Sequence, residues 1–143
     1  MSSPRLTPAY RSHQPVRRLS RAECTDWLSS HREGRLGYTS GRGPRSVVVS
    51  YAMAGEHIVV RVPDYNDIAH YAPGAAVTFD VEDDQAESAP RPETVSVSGT
   101  AALVDQPDEL GGVNFAESWP DGVGTAVVSL PLTAVEGFER TDR

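Results

Sequence analysis

Apolar residues alternate with polar ones along much of the 143-residue chain, in short stretches separated by Gly, Pro and Asn/Asp turn residues. This two-residue spacing is typical of β-strands that cover a core with one face. It predicts about six strands, at 35–40, 45–53, 57–62, 75–81, 94–104 and 124–138. Short turns between consecutive strands favour antiparallel pairing. The pattern therefore predicts a mainly β (α+β) fold, a closed or split barrel with helices at its rim.

One stretch has a clear helical signature. Ser20 and Glu23 have the spacing of a capping box, in which the serine caps the helix and the glutamate reaches back to it. Three apolar residues then share one face at helical spacing: Cys24, Trp27 and Leu28. We expect this helix to end near His31, with Gly34 as its stop signal. Two weaker helices are predicted at 66–71 and 107–118.

The chain length indicates one domain preceded by an arm. Residues 1–18 contain three prolines and no apolar period, which predicts a flexible N-terminal arm. The remaining 19–143 are enough for one folded domain with its own core. The triple valine at 47–49 predicts a strand that is covered on both faces.

Composition excludes several classes of function. The net charge is −7, which argues against nucleic acid as the main partner. All 13 basic side chains are arginine, so Lys-based Schiff-base chemistry is excluded and a phosphate would need arginines, hydroxyls or backbone N–H groups. Cys24 is the single cysteine, which excludes an intrachain disulfide. No apolar run approaches the ~20 residues of a membrane span, and no signal peptide is visible. We expect a cytoplasmic protein without a membrane partner.

The candidate functional stretch is Arg45 to Gly74, a strand hairpin followed by a polar loop and a short helix. The start of a helix exposes backbone N–H groups that suit an anion such as phosphate. Arg61 lies in the middle of an apolar strand, where a cation needs a partner. That partner is either a carboxylate, Asp64 or Asp80, or an anionic ligand. The histidine spacing indicates no metal site, and dinucleotide, P-loop and hydrolase motifs are absent.

The chain from Leu19 to Phe138 resembles the pyridoxamine 5′-phosphate oxidase-like family of flavin-binding split barrels, in its small actinobacterial-type branch. The stretches that carry the resemblance are LSRAECTDWLSSHREGRLGYTS, VVVSYAMAGEHIVVRVP, VTFDVEDD, VSVSGTAALV and SLPLTAVEGF. The resemblance implies a six-stranded antiparallel split β-barrel that forms a homodimer. It also implies a bound FMN, or a deazaflavin in some branches, in a groove between the subunits.

The resemblance implies, by position, which residues hold the cofactor. Its ring system would lie against the second strand, and its phosphate would lie at the end of the third strand and the start of the short helix. The implied cofactor-binding residues are Val48, Val49, Ser50, Tyr51, Arg61, Val62, Tyr65 and Asn66. The two tyrosines are candidates for stacking on the ligand and equally for the rim of the barrel. No catalytic residue is assigned.

Two positions depart from the family pattern. Ser50-Tyr51 stands where Asn-Tyr is common, and Asn66-Asp67 stands where Thr-Lys or Ser-Lys is usual. A carboxylate beside a phosphate would cost about 1–3 kcal/mol at an effective dielectric constant near 20. Alternatively, Asp67 points away and caps the helix.

Three functional hypotheses follow from the resemblance and its departures. The first is a flavin- or deazaflavin-dependent oxidoreductase acting on a small organic substrate. The second is a non-catalytic split-barrel dimer that has lost the flavin phosphate site and serves as a binding or structural protein. The third is an enzyme that uses the same groove for a cofactor with a different phosphate position.

Overall fold

The structure, a computed structural model, describes residues 16–82, 94–105 and 124–140. These residues form two helices and ten strands, numbered here in chain order. The helices are α1 (Arg21–Ser29) and α2 (Asp67–Tyr71). The strands are β1 (Val16–Arg18), β2 (Glu33–Ser40), β3 (Gly43–Ser50), β4 (Ala52–Ala54), β5 (His57–Pro63), β6 (Ala76–Glu82), β7 (Thr94–Thr100), β8 (Ala102–Leu103), β9 (Thr125–Pro131) and β10 (Ala134–Arg140).

The strands form two antiparallel sheets around one core. The first sheet has the order β1-β10-β7-β6-β2-β3 and the second has the order β4-β5-β9-β8. Apolar side chains from both sheets meet in one core, with Phe79 and Val97 of the first sheet and Ile58 of the second fully buried. The mainly β, antiparallel split-barrel fold predicted from the sequence is confirmed.

Two of the predicted strands each divide between the sheets. The segment predicted at 45–53 breaks at Tyr51 into β3 and β4, and the segment predicted at 94–104 breaks at Ala101 into β7 and β8. Both break residues are buried, at 3% and 2% exposure. A strand that bends at a corner can serve two sheets, which is how a split barrel closes its core with few chain segments.

Helix α1 begins as predicted but ends earlier. The hydroxyl of Ser20 accepts the Glu23 N–H at 3.1 Å, and the Glu23 carboxylate accepts the Ser20 N–H at 2.8 Å. The helix ends at Ser29 with Ser30 as its C-cap, so Gly34 is not the stop signal. Gly34 lies in β2, where a Cβ would stand 2.6 Å from the Phe79 ring. Its missing side chain makes room for that ring.

The end of the predicted arm is folded. Val16–Arg18 form β1, which pairs with β10 through the register Arg17 to Glu139. The last three residues of the predicted arm thus pair with the sheet, and the division of the chain into arm and domain stays a prediction. Residues 1–15 of the predicted arm and the predicted helix at 107–118 lie outside the described residues.

Strand β3 differs from its prediction in exposure. It is the last strand of the first sheet and pairs with β2, while its other edge pairs with no described strand. Val47 and Val49 are partly buried, but Val48 is 57% exposed. The prediction of a strand covered on both faces is thus wrong for the single chain, because local apolar content does not show which strand ends a sheet.

Candidate functional site

A cleft of about 380 Å³ lies where β3, β5 and the start of α2 meet. One wall is the valine run of β3, and the opposite wall is the end of β5 with the loop that leads into α2. The lining residues are Tyr38, Arg45, Val47, Val48, Val49, Ser50, Arg61, Val62, Pro63, Asn66, Asp67 and Ile68. The volume is within the usual range of small-molecule sites, roughly 300–1,000 Å³.

The structure brings most of the predicted cofactor-binding residues into this cleft. The predicted residues that line it are Val48, Val49, Ser50, Arg61, Val62 and Asn66. Tyr51 and Tyr65 do not line it, and Tyr65 is 80% exposed. Contact of any of the eight with a cofactor stays a prediction.

Tyr51 is held by hydrogen bonds and a ring contact within the fold. Its hydroxyl donates a hydrogen bond to the Leu28 carbonyl at 2.5 Å, and its backbone N–H donates to the Arg32 carbonyl at 2.9 Å. Its ring meets the Phe79 ring edge-to-face at a centroid distance of 5.1 Å. These contacts tie the β3–β4 corner to the end of α1, which supports the structural alternative for this tyrosine.

The start of α2 is already capped by its own sequence. Asn66 is the N-cap, and its side-chain oxygen accepts the Ile68 N–H at 2.7 Å. The Asn66 N–H in turn donates to the Pro63 carbonyl at 2.9 Å. Asn66, not Asp67, is therefore the capping residue. Since α2 has only five residues and one of its first N–H groups is taken, the predicted anion site at this helix start has fewer donors than expected.

Asp67 does not point away from the cleft. Asp67 is one of the lining residues. Burial raises the pKa of the Tyr38 phenol, the nearby Asp67 carboxylate adds to this rise, and Arg45 partly offsets it. Burial is the largest cause of the shift. A tyrosine phenol is protonated at neutral pH, so the Tyr38 hydroxyl is a hydrogen-bond donor among the residues that line the cleft.

Tyr38 is a lining residue that the sequence analysis missed. It shares the buried face of β2 with Leu36, so its position in the alternating pattern indicates a core residue. The alternating pattern is the same for a tyrosine at the edge of the core, next to a cleft, and for a tyrosine deep inside the core. Only the register of β2 with β3, which places Tyr38 opposite Arg45, shows that it reaches the cleft.

Among the residues that the structure describes, the charged groups that line the cleft are two arginines, Arg45 and Arg61, and one carboxylate, Asp67. Arg61 is partly buried in β5, opposite Val127 of β9. Asp80, one of its predicted carboxylate partners, lies opposite Arg35 and lines a separate hollow with it. The cleft has a net positive set of side chains, which suits an anionic ligand.

Two other kinds of site are not found in the part of the chain that the structure describes. No cluster of three or more His, Cys, Asp or Glu side chains there could hold a metal ion. Neither described helix has the length and apolar character needed to cross a membrane.

Residues 20–139 match the family model described as pyridoxamine 5′-phosphate oxidase. The chain belongs to this family, which confirms the resemblance stated from the sequence. A comparison with curated proteins found no match.

Solved structures share the fold at low sequence identity. An FAD-binding protein from Mycobacterium smegmatis has a TM-score of 0.72 and 22% identity, covering 88% of this chain and 100% of that one. A conserved protein of unknown function from Corynebacterium diphtheriae has a TM-score of 0.70 and 18% identity, covering 89% and 99%. An FAD-binding protein from Mesorhizobium loti has a TM-score of 0.65 and 18% identity, covering 90% and 99%. At these identities the likeness establishes the fold.

Proposed function

We propose that this protein is a homodimeric flavoprotein that binds a flavin coenzyme in the cleft between β3, β5 and α2 and exchanges hydride or electrons with a small organic molecule. The observation that carries the proposal is the pairing, within one cleft, of an apolar strand wall with two arginines. Family membership and the FAD-binding proteins among the structural neighbours support it. FMN is the form that the sequence resemblance implies, with a deazaflavin or FAD as alternatives.

The residues of the cleft fit a flavin at its ring end. The valines of β3 offer an apolar face for a planar ring. Because the outer edge of β3 pairs with no described strand, its backbone N–H and C=O groups are available to the amide-like edge of the ring. The flavin would supply the redox chemistry. The protein would bind it, orient it and exclude water, with the Tyr38 hydroxyl as a donor.

The homodimer is proposed from the exposure of β3. An exposed apolar side chain on an edge strand is a surface that a second chain can cover. Val48 is 57% exposed and stands between the cleft and the hollow beside Arg35. A second copy that covers Val48 would therefore close the cleft on its open side as well as bury the strand.

Spectra and binding measurements test the cofactor. We expect the purified protein to show a flavin or deazaflavin absorbance band, or to acquire one when titrated with riboflavin, FMN, FAD or a deazaflavin. Mass spectrometry of the released ligand identifies its form. Absence of binding for all four at high micromolar concentration would overturn the proposal.

Light scattering tests the dimer. We expect a mass near twice the 15.4 kDa of one chain. Val48→Arg should reduce the mass to that of the monomer and weaken flavin binding. His57→Arg is the matched control, because it places the same charge on an exposed position of the second sheet. A monomer at working concentration in the parent protein would contradict the dimer.

The second candidate function is a dimer of the same fold that binds no flavin. The observation in its favour is the Asp67 carboxylate, which lines the cleft near the place where the family has a lysine. A stable dimer without affinity for any of the four flavins would support this candidate over the first.

A further inference from the structure

A second hollow adjoins the cleft at the β2–β3 turn. It has a volume of about 240 Å³ and is lined by Ser40, Gly41, Arg42, Arg45, Asp67 and Tyr71. Arg45 and Asp67 line both the hollow and the cleft, so a ligand in the cleft can extend past these two residues into the turn. We call this space the turn hollow.

The wall of the turn hollow is a hydrogen-bonded turn. The Ser40 hydroxyl accepts the Arg42 N–H at 3.1 Å and donates to the Gly43 carbonyl at 3.0 Å. Gly43 has a positive φ of 113°, which a residue with a side chain rarely adopts. A Cβ at Gly41 would stand 2.8 Å from the Tyr71 hydroxyl oxygen, so the missing side chain lets this hydroxyl lie directly against the turn.

The chemistry of the turn hollow suits a phosphate better than the start of α2 does. Two arginines, Arg42 and Arg45, line it with the Tyr71 hydroxyl and outnumber the one carboxylate, Asp67. Guanidinium groups bind phosphate oxygens in a bidentate manner. At the start of α2, by contrast, Asn66 already accepts the Ile68 N–H and the helix is short.

We propose that the phosphate end of the bound flavin lies in the turn hollow, held by Arg42, Arg45 and Tyr71, rather than at the start of α2. Asp67, between the cleft and the turn hollow, then accepts hydrogen bonds from hydroxyls of the sugar chain, a role that carboxylates have toward ribose in other nucleotide sites. In this arrangement the hydroxyls of the sugar chain are the hydrogen-bond donors to the Asp67 carboxylate. The proposal rests on the flavin function stated above.

Three ligands and three proteins test it. Riboflavin has no phosphate, FMN has one and FAD has a diphosphate, so the ratio of their dissociation constants isolates the contribution of the phosphate. The proteins are the parent, Arg42→Ala and Arg32→Ala, the last being a control that removes the same charge from an exposed arginine outside both cavities. We expect Arg42→Ala to weaken FMN and FAD by about tenfold or more and to leave riboflavin unchanged, while Arg32→Ala changes none of the three.

The result that overturns the proposal is an unchanged ratio of FMN to riboflavin affinity in Arg42→Ala. If Arg61→Ala instead removes the preference for FMN over riboflavin, the phosphate lies near the end of β5. A salt titration adds a second readout, since a phosphate held by exposed arginines should lose affinity as ionic strength rises, whereas riboflavin should not.

Inorganic pyrophosphate separates this proposal from the flavin function. If none of the flavins binds, the proposed function fails, and the turn hollow is judged by pyrophosphate alone. A shift of the Arg42 side-chain NMR signal on titration, absent for Arg32, supports an anion site at the turn. No shift at millimolar pyrophosphate overturns it.

Discussion

Removal of the Tyr51 hydroxyl should destabilise the fold and leave the cleft intact. Tyr51→Phe deletes the 2.5 Å hydrogen bond to the Leu28 carbonyl and retains the ring that packs on Phe79. Leu28 is at 0% exposure, so water is poorly placed to replace the lost donor. The His31 N–H also reaches the Leu28 carbonyl, at 3.3 Å, and partly satisfies it.

These contacts determine how far Tyr51→Phe should lower the free energy of unfolding. A net intramolecular hydrogen bond contributes about 0.5–1.5 kcal/mol, and a buried group left unsatisfied costs about 1–3 kcal/mol. Because His31 retains part of the bonding, we expect the free energy of unfolding to fall by about 1–2 kcal/mol. In a chain of this size that lowers Tm by roughly 3–8 °C.

Urea unfolding at one fixed protein concentration measures this change, as a lower midpoint with an unchanged slope. Tyr65→Phe is the matched control, because Tyr65 is 80% exposed, and it should unfold within about 0.5 kcal/mol of the parent. The reasoning is refuted if Tyr51→Phe unfolds like the parent. If flavin affinity falls at the same time, the original prediction of a cofactor contact at Tyr51 is favoured instead.

Three further predictions concern packing in β2 and the capping of α1. Gly34→Ala should lower the free energy of unfolding by about 1–3 kcal/mol, measured by urea unfolding, because its Cβ would stand 2.6 Å from the buried Phe79 ring. Ser20→Ala should cost about 1 kcal/mol through loss of the α1 cap, and the urea midpoint reports it. The pKa of Glu23 is lowered by its hydrogen bonds, first with Arg17 and then with the Ser20 N–H. Its contribution to stability is present at neutral pH and is lost as pH falls through the lowered pKa, which stability measured against pH will show.

Each of these changes has a control. Gly99→Ala should be tolerated, since its Cβ would make contacts of 3.4 Å and 3.6 Å, and equal costs at Gly34 and Gly99 would contradict the packing argument. Ser20→Asn should retain the cap. Glu23→Gln should flatten the acid limb of the stability profile, and an unchanged profile would show that this carboxylate is not responsible.

Part of the candidate site was predictable because it is contiguous in sequence. Val48 to Ser50 lie on β3 and Arg61 to Val62 lie on β5, with only the short strand β4 and a turn between them, and Asn66 follows in the next loop. Segments that follow one another closely along the chain are usually neighbours in space, even where, as here, they belong to different sheets. Family resemblance then selected this stretch among the others.

The rest of the site depends on long-range register. Tyr38 enters the cleft because β2 pairs with β3 opposite Arg45, and the turn hollow exists because α2 brings Tyr71 to Gly41. The pattern of apolar residues along the chain indicates neither contact. Tyr51 is the opposite case, since its neighbours in β3 line the cleft while its own ring packs in the core. Its contact with a cofactor stays a prediction.

The sequence by itself determined the strand content, the antiparallel pairing and the capped first helix. These features follow from local rules that act over a few residues of chain. The rules are a two-residue alternation, short turns, and a serine three residues before a glutamate. The tertiary structure alone decided that the chain changes sheet at Tyr51 and Ala101 and that β3 ends its sheet with Val48 exposed. The alternating pattern is the same before and after a corner, and the same in an edge strand and a central strand. Whether a strand residue is buried therefore depends on which distant strand packs beside its own strand.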